Sequence, residues 1–264
     1  MLKREWSRSR FWLCHFLHNR HERVRIDWRP EADLAPALRR PVLTFLRRAF
    51  PGQPDGGRWL IAQALRHCLG DPAYVQSLRL FTKEEAQLHD LMDRLRARYG
   101  DPRPSSGTLH AAAVRARRVL GLRFELSALL TGELLNIAVL KLVEPAVSDP
   151  TLHDVFRQAL ADRQGHAAFH AERLTLEFAD FHFLRRNLRR LRLRLGFGLM
   201  LAAVVVRYGR LIRAAGGSRR AFATASWHNF QATLERMVPY HREALLAALL
   251  HQDQRPYDKP MPVI

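Results

Sequence analysis

Asp162-Arg163-Gln164-Gly165-His166-Ala167-Ala168-Phe169-His170-Ala171-Glu172-Arg173 is the stretch on which the reading of this chain turns. Asp162, His166 and His170 recur at intervals of four, a spacing that stacks side chains along one face of an α-helix. A carboxylate and two imidazoles on one helical face form a ligand set for a divalent metal, with iron, manganese and zinc all suited to it. The small residues Gly165, Ala167, Ala168 and Ala171 leave room for a neighbouring helix to come close. The plain alternative is a solvated or half-buried polar face with no ligand.

Two stretches further back strengthen the metal reading. Lys83-Glu84-Glu85-Ala86-Gln87-Leu88-His89 repeats the pairing of an acid with a histidine four residues on. Thr131-Gly132-Glu133-Leu134-Leu135-Asn136 sets one carboxylate inside an apolar run. A carboxylate buried alone is costly, so it needs a cation, a proton or a hydrogen-bond donor. Helices that each turn an acid inward make a carboxylate-bridged metal site inside a bundle.

The order of these motifs resembles the ferritin-like family. Gly70-Asp71-Pro72-Ala73-Tyr74 comes first, then Leu80-Phe81 with Glu84-Glu85, then Glu133. Asp162 and the run from His166 through Phe169, His170 and Glu172 to Leu174 complete it. The likeness is to bacterial ferritin-like proteins rather than iron-storage ferritins, and it spans about 28–230. It includes the turn Ala214-Ala215-Gly216-Gly217-Ser218 and Trp227. It implies an all-α, ferritin-like helical bundle with additional C-terminal helices, and a di-iron centre, with manganese or no metal as the alternatives. Glu85, His89, Glu133, Asp162 and His166 are then the candidate ligands, with His170, Glu172 and Arg163 around them.

The chain departs from the family pattern at two points. Metal ligands in that family come as Glu-x-x-His on two helices. Glu85 fits, but three residues on stands Leu88, and the imidazole comes one later, at His89. Before His166 the expected Glu is Arg163, a cation in a ligand's place.

Composition bounds the rest. A chain of 264 residues, 47% hydrophobic, can bury a substantial helical core. The formal charge is +18, and only four of the 43 basic residues are Lys. Such use of Arg suits phosphate or membrane contact, and it also arises from GC-rich coding. No nucleic-acid-binding motif accompanies the charge. Cys14 and Cys68 have no zinc-ligand spacing, which points to a reducing, cytoplasmic setting.

Periodicity and breakers divide the chain into a basic, aromatic N-terminal arm (1–34), a helical domain (35–251) and a loose tail with three prolines (252–264). Within the domain, helices are expected at 35–50, 58–69, 71–99, 109–120, 122–143, 151–183, 184–213, 219–234 and 238–251. The core bundle spans about 58–183, formed by the second, third, fifth and sixth of these, and 184–251 adds the C-terminal helices. The run 122–143 is apolar nearly all round, as a central bundle helix is. In 184–213 a cationic half carrying Arg185, Arg186, Arg189, Arg190, Arg192 and Arg194 precedes twelve uncharged residues, 195–206. Twelve residues are too few to span a bilayer. Such a helix can lie on an anionic membrane surface or pack on the bundle with its Arg side in water.

Three functions compete. The first is a di-iron oxidoreductase acting on a hydrophobic, lipid-like or small organic substrate. The second is a non-catalytic ferritin-like scaffold with an eroded site, Glu133 being neutralised by Arg163 or a histidine. The third is a basic adaptor peripheral to membranes.

Overall fold

The computed structural model describes residues 2–29, 33–49, 55, 57–68, 70–101, 108–179 and 183–237. The described residues are all-α, with no strand among them. The helices are α1 (Leu2–Asn19), α2 (Pro36–Ala49), α3 (Arg58–His67), α4 (Pro72–Arg98), α5 (Thr108–Val119), α6 (Leu122–Val143), α7 (Pro150–Ala179), α8 (Phe183–Arg207), α9 (Gly209–Ala214) and α10 (Arg219–Arg236). A short 3-10 turn, Glu144–Ala146, joins α6 to α7.

Local chemistry sets the long helices. Asp71 caps α4 by accepting a hydrogen bond from the Tyr74 backbone N–H, and Pro72 occupies the first turn, where no N–H is needed. Asp149 caps α7 through the Leu152 N–H, and its other oxygen accepts the Tyr99 hydroxyl at 2.6 Å. One carboxylate thus fixes the start of α7 against the end of α4. Ser218 caps α10 through the Ala221 N–H.

α6 and α7 pair along their length, α4 lies against α7, and α1 runs along α4. Leu78, Phe81, Leu88, Met92 and Leu95 of α4 bury completely, as do Leu126, Leu140 and Val143 of α6 and Val155, Phe156 and Ala159 of α7. By length and composition, Leu122–Ala146 is the one stretch among the described residues that could cross a membrane. Here it packs on α7, and its two buried acids, Glu125 and Glu133, meet Arg117 and Arg163.

Two expectations need correction. The segment 1–34 supplies core structure: Trp12 and Phe16 of α1 bury against Phe169 of α7. α1, with 18 residues, lies along α4 more extensively than the ten-residue α3, which was expected to be the fourth core helix. The single helix expected over 184–213 divides at Tyr208 into α8 and α9. Gly209 opens α9, and the Arg219 side chain passes where a Cβ at Gly209 would stand. The expected helix 238–251 and tail 252–264 lie outside the described residues.

Candidate functional site

The acids and histidines meet where α1, α4, α6 and α7 come together. α4 presents Glu84 and Glu85, α6 presents Glu133, and α7 presents Asp162, Arg163, His166 and His170. All are buried except Glu85, which is nearly so. Gly165 on α7 makes room for α1: a Cβ there would lie 2.9 Å from His15 Nε2. α1 can therefore settle over the cluster and bring Asn19 to it.

Arg163 turns inward. Its Nη1 donates to Glu133 Oε1 at 2.7 Å and to Glu85 Oε1 at 2.8 Å. A single guanidinium nitrogen thus stands between two carboxylates from two helices. His166 Nε2 lies 3.0 Å from Glu84 Oε2. Its Nδ1 is 3.1 Å from Glu85 Oε1, close enough for an ion pair but not aligned as a hydrogen bond. Asp162 forms a neighbouring polar group. It accepts from Gln158 at 2.8 Å and from Asn19 at 3.3 Å, and Arg23 approaches its second oxygen at 3.4 Å. Asn19 also donates to Glu84 Oε1 at 3.0 Å, which links the two groups.

The protonation pattern follows from this geometry. Burial pushes the His166 imidazolium toward neutrality, but Glu84 and Glu85 overcome it and raise the pKa to about 10. His166 is a cation at neutral pH. Burial would also raise Glu85, yet Arg163 and His166 hold it well below the usual carboxylate range. Glu133 goes the other way: burial raises it, Arg163 offsets only part of this, and the charge on Glu85 adds to the rise. Glu85 is therefore the ionised member of the pair, and Glu133 takes a proton first. Three cations (Arg23, Arg163 and His166) face four carboxylates (Glu84, Glu85, Glu133 and Asp162), and one proton on Glu133 closes the balance. Glu133 Oε2 has no hydrogen-bond partner among the described residues, so a proton there displaces none of their bonds. His170 sits among Phe81 and Phe169 with neither ring nitrogen bonded. Burial, aided by the nearby His166 charge, lowers its pKa to about 3 and keeps it neutral.

Of the expected ligands, the structure gathers Glu85, Glu133 and His166, whose ligand atoms lie within 4.8 Å of one another. Asp162 is buried one turn from His166 but engages Asn19, Arg23 and Gln158 instead. His89 does not join the group. It is partly exposed beside Asp93, at 3.7 Å, and α4 stays regularly helical there, with no π-bulge to swing it inward. Leu88 fills the inward position in its place, fully buried in the core. Glu172 is not beside these ligands: it accepts the Trp12 indole N–H at 3.0 Å and meets Arg8, tying α1 to α7.

Glu84, Asn19 and Arg23 are participants that the sequence did not single out. Glu84 adjoins Glu85 in the sequence and was not among the expected ligands, although it lies in the buried arc of α4 with Phe81 and Leu88. On the surface of α8, Arg185, Arg192 and Arg194 are exposed and Arg189 and Arg190 half-buried, while the Arg186 side chain lies outside the described residues. Compared with models of protein families, with curated proteins and with solved structures, the chain matches none.

Proposed function

We propose that this chain is a non-catalytic, ferritin-like helical scaffold whose inter-helix carboxylate centre is closed by an internal cation. The observation that carries the reading is Arg163 Nη1, within 2.8 Å of both Glu85 and Glu133. Standing between carboxylates of two helices, it supplies the positive charge that buried carboxylates need and that a metal would otherwise supply. The remaining donors do not fit a metal pair. Leu88 replaces one imidazole, His89 faces Asp93, and Arg163 stands in place of a carboxylate ligand. The site's chemistry is structural: it locks α1, α4, α6 and α7 together by charge.

A single-metal reading is favoured by one observation, the close grouping of Glu85, Glu133 and His166. It needs Arg163 displaced and His166 deprotonated. Thermal unfolding with added Fe(II), Mn(II) or Zn(II) separates the two readings, because a ligand that binds only the folded state raises Tm. The scaffold reading predicts no rise. A rise that grows with metal concentration and disappears in Glu133→Gln establishes the single-metal site instead.

A further inference from the structure

α8 carries a second apolar face in addition to the one it buries. Leu193, Phe197 and Leu201 pack inward, and Phe197 stacks on Phe230 of α10 with ring centroids 4.1 Å apart. On the opposite side Leu188, Leu191, Leu195, Leu199, Ala202 and Val206 are all exposed, Leu195 at 59% and Leu199 at 75%. Their steps of three and four residues keep them within an arc of roughly 80° over about 27 Å of helix, at about 100° and 1.5 Å per residue. Isolated exposed leucines are ordinary, but a continuous stripe on one helix marks a contact surface.

Charge decides which contact. Arg185 and Arg192 flank the stripe on one side and Arg194 on the other, and all three are exposed. α8 contains no acidic residue. Two copies placed stripe to stripe would bring Arg against Arg, so self-association through this face is disfavoured. An anionic bilayer satisfies both features: it takes up the leucines at the acyl boundary and sets phosphate or carboxylate headgroups against the guanidinium groups, whose stems snorkel outward.

We propose that α8 is a membrane-docking helix, lying in the plane of an anionic lipid surface with the Leu188–Val206 stripe inserted and the flanking arginines on headgroups. This stands on the surface of α8 and is independent of the ionic core. The test is co-sedimentation of the full chain with vesicles of phosphatidylserine and phosphatidylcholine, and with vesicles of phosphatidylcholine alone. Binding is expected to the anionic vesicles and to fall steeply with salt. Arg185→Gln with Arg192→Gln and Arg194→Gln should weaken partitioning by about 10²-fold, at roughly fivefold for each basic residue near the surface. Leu191→Gln with Leu195→Gln and Leu199→Gln, all at exposed positions, should weaken it comparably while circular dichroism and Tm stay unchanged. Failure to bind anionic vesicles overturns the proposal, as does equal binding to neutral ones. Leucine variants that bind like the unmodified protein also overturn it, since charge alone would then hold it. A dimer abolished by the leucine variants, without vesicle binding, assigns the stripe to a second copy instead.

Discussion

The same residue type works under opposite conditions in two regions of this molecule. Between α1, α4, α6 and α7, Arg163 is 5% exposed and bonded to two carboxylates, and each neighbouring charge has a counter-charge in reach. On α8, Arg185, Arg192 and Arg194 are exposed beside exposed leucines, with no acid on their own helix. Burial enforces charge matching because an uncompensated ion in a low-dielectric interior is costly. The surface imposes no such rule, so unmatched charge there is available for a partner. The first region holds the fold together, and the second is free to contact something else.

The contrast breaks first at Arg163. Arg163→Met strands Glu85 and Glu133, and removing one partner of a buried pair costs about 3–5 kcal/mol, or roughly 6–20 °C of Tm at about 2–4 °C per kcal/mol. Thermal unfolding checks this. A drop no larger than that of a surface variant would mean that Arg163 does not hold the carboxylates in solution.

The pH dependence sharpens the comparison. His166 has its folded pKa raised to about 10 from 6.5, so the stability it contributes is complete below pH 6.5 and lost as pH climbs through 10. Glu133, raised from 4.5 to about 7, also loses its contribution as pH rises, but between pH 4.5 and 7. His170 acts oppositely: lowered to about 3, it remains neutral in the fold while the unfolded chain protonates, so stability declines as pH falls from 6.5 toward 3. Between about pH 4.5 and 6.5 the Glu133 loss and the His170 gain oppose each other, so Tm should be nearly level there and fall above pH 6.5, and His166→Gln should flatten the alkaline side. A profile for His166→Gln with the same alkaline slope as the unmodified protein contradicts the assignment.

The smallest expected effect lies at the edge of the cluster. Asn19→Ala removes donors to Glu84 and Asp162 and should lower stability by about 1–2 kcal/mol. Arg192→Gln on α8 should stay within about 0.5 kcal/mol. Chemical denaturation of the two variants side by side gives the ranking, and a reversed order would erase the distinction between the regions.

Much of this was legible in residues. α6 runs over Leu122–Val143 as its apolar stretch predicts, and Asp71-Pro72 and Gly100 bracket α4 as their cap and breaker chemistry requires. Glu133 was legible as an acid in an apolar run that needs a partner, and Glu85 and His166 as an acid and an imidazole spaced along helical faces. The role of α1 was hidden by composition: Trp12 and Phe16 are embedded among Arg and His, so its core face did not stand out. Glu84 was hidden by adjacency, since Glu84 and Glu85 are about 100° apart on the helix and both fall inside the broad buried arc of α4. The direction of Arg163 was open for the same reason. α7 has neighbours on several sides, so Asp162 turns toward α1 while Arg163, the next residue, turns toward α4 and α6.

The proposed closure of the centre rests on Arg163 holding Glu85 and Glu133 together. Elemental analysis after iron loading and desalting decides it, on the unmodified protein and on Leu88→His with Arg163→Glu, which gives both segments Glu-x-x-His spacing. No stoichiometric pair of iron ions is expected in the unmodified chain, and a gain of bound iron is expected in the variant. A stoichiometric iron pair in the unmodified protein would contradict it, because Arg163 would then have yielded its place to metal.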